Sequence, residues 1–171
     1  MVKLIGALCI LIASGFIGME ISRSLAERTK QLRQFISALE SLEAEIMFGH
    51  AHLPEASMRI SRQFDHPIGR IFQSFSENLE SEETTAKEAW KKSLMEHWKS
   101  TALKTNELDI LLQFGETLGR HDRYQQQKHI RLAVTHLERL EKESYQRQTT
   151  YGKIANNMGF LSGILLILLL L

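Results

Sequence analysis

Charged residues are absent from both ends of the chain and fill its middle. Residues 4–19 and 154–171 contain no Asp, Glu, Lys or Arg, whereas residues 20–153 hold all 20 acidic and 20 of the 21 basic residues. About 20 apolar residues in an α-helix cross the ~30 Å hydrocarbon core of a bilayer. The pattern predicts transmembrane helices at 1–21 and 153–171, with a polar domain at 22–152 between them.

The first of these stretches leaves two alternatives open. It has 16 uncharged residues, which is short for a membrane helix unless Lys3 and Glu20 extend towards the headgroups. A cleaved signal peptide would find small residues at Ala13, Ser14 and Gly15, but the positive charge lies mostly after the stretch, which opposes export. A buried core helix is the second alternative, and it fits the first stretch better than the second.

Basic residues flank both stretches on the side of the middle domain. On the outer side of the first stretch the only charged residue is Lys3, and no charged residue follows the second stretch. Cytoplasmic flanks of membrane helices carry an excess of Lys and Arg, so the middle domain is predicted to face the cytoplasm. The basic residues of the two inner flanks are Arg23, Arg28, Lys30 and Arg33, and Arg139, Lys142, Arg147 and Lys153.

Apolar residues recur at helical spacing throughout the middle domain, and strand-like alternation is absent. The first helix repeats every seven residues, as coiled-coil stripes do. Boundaries are predicted at Gly49, Pro54, Pro67, 81–85 and Asn106, and later at Gly119 and Asp122. The sequence predicts an all-α fold, a six-helix antiparallel bundle between an N-terminal and a C-terminal transmembrane helix. The six apolar faces comprise Leu25, Leu32, Phe35, Leu39, Leu42 and Ile46; Leu53, Ile60 and Phe64; Ile68, Ile71, Phe72, Phe75 and Leu79; Trp90, Leu94 and Trp98; Leu108, Leu111, Leu112 and Leu118; and Ile130, Val134, Leu137 and Leu140.

Composition argues against several kinds of chemistry. The 20 acids and 20 bases of the interior cancel, so no basic field exists to bind nucleic acid. The single cysteine, Cys9, allows no internal disulfide. His50 and His52 could share a metal, but a third ligand is not evident, and a loop surface is the favoured interpretation. Since phosphate-loop, nucleophile-elbow and zinc motifs are also missing, we predict no enzyme activity, no cofactor and no metal.

The segment from Phe114 to Asp122 concentrates unusual residues between two predicted helices. Two glycines within five residues suit a tight turn, with close packing and a cap at Asp122 as the simpler interpretation. The functional interpretation is that the turn presents Glu116, Arg120 and Asp122 to a partner. The acidic pairs Glu43/Glu45 and Glu82/Glu83 are interpreted as surface or as a partner-facing patch.

Several stretches together resemble the stage III sporulation protein AB family of endospore-forming bacteria. That family in turn is similar to the inner-membrane platform, or F component, of type II secretion and type IV pilus systems. The platform has two helical domains and three membrane spans, whereas this chain has one such domain and two predicted spans. The matching stretches begin with Met1-Val-Lys-Leu-Ile-Gly-Ala, Glu27-Arg-Thr-Lys-Gln-Leu-Arg-Gln-Phe and Leu42-Glu-Ala-Glu-Ile-Met-Phe-Gly-His, and continue with Leu53-Pro-Glu-Ala, Gly115-Glu-Thr-Leu-Gly-Arg-His-Asp and Gln125-Gln-Gln-Lys-His-Ile-Arg-Leu.

The resemblance implies a non-enzymatic scaffold of the channel, or feeding tube, between mother cell and forespore, required for endospore formation. It implies a location in the cell membrane with the domain on the mother-cell side. The implied partners are a secretion-type ATPase (stage III sporulation protein AA), other membrane proteins of the same channel, and further copies of the chain. The alternatives are a membrane signalling or adaptor protein, and a small hydrolase using His50, His52, His97 and His121.

Overall fold

The protein is described by a computed structural model over residues 2–49, 52–81, 84–119 and 123–170, with side chains described for 19–48, 52–81, 84–119 and 124–151. Within these ranges it has six α-helices and no strand, so the predicted all-α class is confirmed. A π-helical segment, Glu45–Gly49, continues the first helix, and a 3₁₀ turn, Trp98–Ser100, follows the fourth. The helices are α1 (Val2–Ala44), α2 (Leu53–Ser61), α3 (Ile68–Leu79), α4 (Ala86–His97), α5 (Thr105–Gly115) and α6 (Arg123–Leu170).

The two predicted membrane spans, 1–21 and 153–171, fall almost wholly outside the residues whose side chains are described. The backbone there belongs to α1 and α6. A search of the described residues finds no helix with both the length and the apolar character needed to cross a bilayer. The transmembrane helices and the bundle arrangement therefore stay predictions.

The chain forms two compact units, one of residues 30–141 and one of residues 1–29 and 142–171. The larger unit contains a continuous apolar core drawn from all six helices. Burying such side chains contributes about 25 cal/mol per Å² of apolar surface removed from water. The core residues with no exposed surface are Leu32, Phe35, Ala38, Leu39, Leu42, Ile60, Ile68, Ile71, Phe72, Phe75, Ala89, Trp90, Leu94, Leu111, Ile130 and Leu137.

The seven-residue stripe predicted on α1 is confirmed for its central members. Leu32, Phe35, Leu39 and Leu42 are fully buried. This spacing puts them on one face of the helix, and that face lies against the core. Ile46, in the π-helical segment, is only partly buried.

Within the larger unit, α1 and α6 lie side by side and run antiparallel. Glu43 Oε1 accepts hydrogen bonds from Gln127 Nε2 at 2.6 Å and from Arg131 Nε at 2.8 Å. Ten residues earlier on α1, Arg33 Nε donates to Glu141 Oε1 at 2.7 Å. Residue numbers rise along one helix as they fall along the other. The interpretation of Glu43 as surface or partner-facing is therefore wrong, because its carboxylate joins these two helices.

An aromatic cluster fills the centre of the core around α4. Trp90 meets Phe72, Phe75 and Phe114 edge-on, with ring centroids 5.5, 5.0 and 5.5 Å apart. Edge-to-face geometry suits the quadrupoles of the rings. The indole Nε1 donates to the carbonyl oxygen of Leu111 at 2.7 Å, so burial leaves no unpaired donor on the tryptophan. Trp90 thereby ties α3, α4 and α5 together.

The predicted cap of α5 is wrong. Asn106 lies inside the first turn of α5, which begins at Thr105 after the N-cap residue Lys104. The buried Glu107 supplies the polar closure instead, because its Oε2 accepts the backbone N–H of Lys104 at 2.9 Å. A carboxylate three residues into a helix can close the N-terminus in this way. The helix therefore begins two residues earlier than it would with Asn106 as its N-cap.

The N-terminus of α4 is closed by a reciprocal capping box, at the polar break predicted for 81–85. The Thr85 N–H and Oγ1–H donate to Glu88 Oε2 at 3.2 and 2.9 Å, and the Glu88 N–H donates to Thr85 Oγ1 at 3.3 Å. The hydroxyl donor of Thr85, followed by its backbone N–H, holds the pKa of Glu88 below the ordinary value of 4.5.

This capping box predicts a pH dependence of stability. A carboxyl group whose pKa is lowered by folding stabilises the protein above its unfolded pKa, and that contribution is lost as pH falls through the folded pKa. We expect Glu88→Gln to lower the melting temperature at neutral pH, and the difference from wild type to vanish in acid. Thermal melts followed by circular dichroism across this pH range measure it. Thr85→Ala should flatten the same dependence, and a Glu88→Gln deficit that persists unchanged in acid would contradict the assignment.

The smaller unit pairs the flanking parts of α1 and α6. Thr29 Oγ1 and Ser144 Oγ form a buried hydrogen bond of 3.0 Å. A buried hydroxyl pair of this kind is satisfied without water. Further towards the chain ends, Met19, Ile21 and Tyr151 are 53%, 49% and 59% exposed, so large apolar surface faces outward in this unit.

Candidate functional site

The turn after α5 is the candidate contact site, and the structure describes its first half. Glu116 follows the last residue of α5, its N–H donating to the Leu112 oxygen at 3.2 Å, and its side chain is half-exposed. Arg120 and Asp122, the other two predicted contact residues, lie outside the described residues. The chain then enters α6 at Arg123.

The carboxylate of Glu116 is held by a neighbouring helix. Lys87 Nζ, on the first turn of α4, lies 2.6 Å from Glu116 Oε2. Both side chains are partly exposed, so the ion pair is worth at most about 1 kcal/mol. Its effect is to orient the acid on the surface rather than to stabilise the fold. This pairing could not be predicted from local spacing, because the two residues are far apart along the chain.

The two glycines of the turn have structural causes. A Cβ at Gly115 would overlap Cδ1 of the buried Trp90 ring and lie 3.2 Å from its Cγ, so α5 can approach α4 this closely only with glycine. Gly119 has φ +74°, a left-handed conformation that costs other residues energy. The close-packing interpretation is confirmed for Gly115. The prediction that Gly119 ends the fifth helix is wrong by four residues, since α5 ends at Gly115 and a turn follows.

A groove of about 310 Å³ lies between α5 and α6 beside this turn. Its walls are two helical faces with the same spacing of three and four residues, which is the pattern that normally packs against another helix. Leu132, one of the lining residues, is 51% exposed, although leucine usually lies in cores. The sequence analysis missed this groove. The lining residues are Ile110, Gln113, Phe114, Glu116, Thr117, His129, Leu132, Ala133 and His136.

Of the two histidines considered for metal binding, His52 is exposed just before α2 and His50 lies outside the described residues. Two further histidines, His129 and His136, line the groove. Among the described residues, no group of three His, Cys, Asp or Glu side chains is placed to hold a metal ion. The groove and turn together offer an acid, two imidazoles and apolar surface, which are groups suited to contact with a protein.

Comparison with known proteins identifies the family. The family model for stage III sporulation protein AB (spore_III_AB) matches residues 3–171. A Bacillus subtilis (strain 168) protein, "Stage III sporulation protein AB", is 47% identical over 171 residues, which is 100% of both chains. A solved structure, "Stage III sporulation protein AB (SpoIIIAB)", is 49% identical with a TM-score of 0.70, and it covers 72% of this chain and 98% of its own. The chain therefore belongs to the stage III sporulation protein AB family, as its sequence motifs predicted.

Proposed function

We propose that the chain is a non-enzymatic, membrane-anchored scaffold of the channel between mother cell and forespore, required for endospore formation. In this role it holds a secretion-type ATPase at the cytoplasmic face of the membrane. The observation that carries the proposal is the match to a sporulation family along the whole chain, including both uncharged ends. The all-helical unit of residues 30–141 is then the part available to cytoplasmic partners.

Anchoring follows from the ends of the chain. Residues 4–19 and 154–171 carry no charge, and basic residues flank them on the inner side. At the inner end of the first stretch, Met19 and Ile21 expose apolar surface, and contact of such surface with water is unfavourable in free energy. Tyr151 is also exposed, and tyrosines are enriched where a membrane helix meets the headgroups. These features fit a protein whose chain ends lie in lipid.

Docking is assigned to the turn after α5. Glu116 is exposed and held by Lys87 at 2.6 Å, so its carboxylate is presented in one place. Arg120 and Asp122 follow Glu116 by four and six residues in the sequence. Residues 123–153 separate the turn from the second uncharged stretch along the chain, so a partner of the turn need not contact that stretch.

The mechanism in this proposal is mechanical rather than chemical. An acidic turn that pairs with basic residues of the ATPase fixes that enzyme above the channel, and complementary charge speeds the encounter. α6 is a single helix of 48 residues that begins directly after the turn. Its continuous backbone hydrogen bonds let a displacement at the turn be carried along the helix. The scaffold transmits the ATPase's motion or holds it in place, and hydrolyses nothing itself.

Capture of the ATPase tests the proposal. Full-length protein should be released from membranes only with detergent, and it should retain the co-expressed ATPase on an affinity resin. Glu116→Lys and Asp122→Lys should each reduce the retained ATPase by at least about tenfold, the change expected for about 1.4 kcal/mol of lost binding energy.

Lys87→Ala is the matched control, because it breaks the same ion pair and leaves the Glu116 carboxylate in place. A surface ion pair contributes little to folding, so this variant stays folded. It loses the orientation of the acid but keeps its negative charge, so it should retain more ATPase than Glu116→Lys. Equal loss with Lys87→Ala and Glu116→Lys would show that the negative charge itself does not bind the ATPase. Undiminished capture by both acid-reversal variants would reject docking at this turn.

A further inference from the structure

The face formed by α5 and α6 carries two parallel stripes of opposite charge. On α5, Asp109 and Gln113 are exposed four residues apart, so they share one side of the helix, and the exposed C-cap residue Glu116 follows three residues later. On α6 the exposed stripe contains two basic side chains, one imidazole and one leucine. It consists of Lys128, Leu132, His136 and Arg139, also spaced at three and four residues. We call the groove together with these two stripes the α5–α6 face.

Of the four charged residues on this face, Glu116 is paired with Lys87 of α4 at 2.6 Å. Asp109, Lys128 and Arg139 make no ion pair with any described residue. Arg131 differs, because it pairs with Glu43 of α1 at 2.8 Å on another side of α6. The α5–α6 face therefore combines available charges of both signs with the exposed side chain of Leu132.

We propose that the α5–α6 face binds the same face of a second copy of this chain. A two-fold axis parallel to the helices places α5 of each copy opposite α6 of the other. The acidic stripe of one copy then meets the basic stripe of its partner, and the two Leu132 side chains close over the groove. An unrelated partner would have to place basic residues opposite α5 and acidic residues opposite α6. A second copy does so by symmetry, because its α6 faces α5 and its α5 faces α6.

One acid and one base lie at the same end of the face. The groove is lined by residues 110–117 on one wall and 129–136 on the other, and the short connection between α5 and α6 makes the two walls antiparallel. Asp109 and Arg139 therefore both lie at the end of the groove far from the turn. Under the two-fold axis Asp109 of each copy faces Arg139 of the other, which gives two ion pairs per dimer beside the apolar centre.

The size of the face predicts how strong the dimer is. α5 has 11 residues and is about 16 Å long. Two such helices present less than the ~800 Å² per partner of a standard stable interface. Dimers in dilute solution should therefore be weak. Anchoring of both copies in one membrane would raise their effective concentration, and an axis parallel to α6 keeps both copies pointing the same way. Only this strengthening depends on the proposed anchoring.

A charge exchange between chains tests the dimer. Full-length chains with two different affinity tags are co-expressed, and capture of one by the other is measured in mild detergent. Asp109→Arg in both chains, or Arg139→Asp in both, places like charges opposite each other, so capture should fall at least about tenfold. One chain with Asp109→Arg and one with Arg139→Asp restore opposite charges at every contact, and capture should return to the wild-type level.

A crosslink provides a second measurement that does not depend on charge. In a Cys9→Ser background, a chain with Gln113→Cys and a chain with His136→Cys should be joined by a short bis-maleimide. Arg62→Cys, exposed just beyond α2, replaces Gln113→Cys as the control and should give no product. Circular dichroism melts check that each variant is folded.

The proposal is overturned if both single-site pairs are captured as well as wild type, or if the mixed pair of folded variants is captured no better than they are. Absence of the crosslink at a protein concentration where capture occurs would overturn it as well. None of these variants changes Glu116 or Asp122, so ATPase capture should persist in the charge variants. The outcome for the dimer is thereby separate from the outcome for ATPase docking.

Discussion

Trp90→Ala should lower the free energy of unfolding by about 3–5 kcal/mol, which is the range for truncating a large aromatic residue in a core. The side chain has no exposed surface and contacts three other rings edge-on. Its removal leaves a cavity and also leaves the Leu111 carbonyl oxygen without its 2.7 Å donor. Domains of this size are stable by only about 5–15 kcal/mol, so much of the fold's margin would be lost.

Two substitutions separate the causes of that loss. Trp90→Phe keeps an aromatic ring but removes the Nε1 donor, so it should cost about 1–3 kcal/mol for the unsatisfied carbonyl, with a smaller cavity. Met95→Ala, at an exposed position of the same helix, should change stability by no more than about 0.5 kcal/mol. Thermal melts of the purified full-length chain measure all three. A Trp90→Ala loss as small as that of Met95→Ala would contradict the central role of the cluster.

The part of the fold that could be predicted from sequence is the part that depends on local spacing. The leucines and Phe35 of α1 lie on one helical face whatever packs against it, and they are buried as expected. The cap of α5 could not be predicted in the same way. Asn106 and Glu107 are neighbours that can both close a helix, and the choice depended on burial of Glu107 against the rest of the core.

In the candidate site, too, features set by local sequence could be predicted and features set by tertiary packing could not. Glu116 was predicted to be exposed, and it is, because a turn between two helices has little to bury it. Its partner Lys87 and the groove along α5 and α6 depend on how distant elements pack. Glu43 was misinterpreted for the same reason, since its two donors lie on α6. One signal was available in the sequence: Leu132 shares a stripe of α6 with charged residues, where an apolar side chain suggests a contact.

Gly69→Ala should lower the free energy of unfolding by about 3 kcal/mol, the upper end of the range for overpacking a core. In the interior of an ordinary helix the same change stabilises by roughly 1 kcal/mol, because alanine loses less backbone entropy than glycine. Here the sign reverses. A Cβ on Gly69 would overlap the carbonyl oxygen of Phe64 and lie 2.7 Å from that of Ser61. Both are backbone atoms, Ser61 at the end of α2 and Phe64 in the connection to α3, so no side-chain rotation can make room.

Arg70→Ala is the control, because Arg70 is the next residue of the same helix and is exposed. It tests the effect of alanine in this turn without the steric overlap, and it should change stability by no more than about 0.5 kcal/mol. The measurement is the same thermal melt as for Trp90. If Gly69→Ala melted at or above the wild-type temperature, the close approach of α3 to the end of α2 would be wrong. A large loss for Gly69 alone would establish that the small residue sets the distance between these helices, and with it the position of α4 and the aromatic cluster that packs on α3.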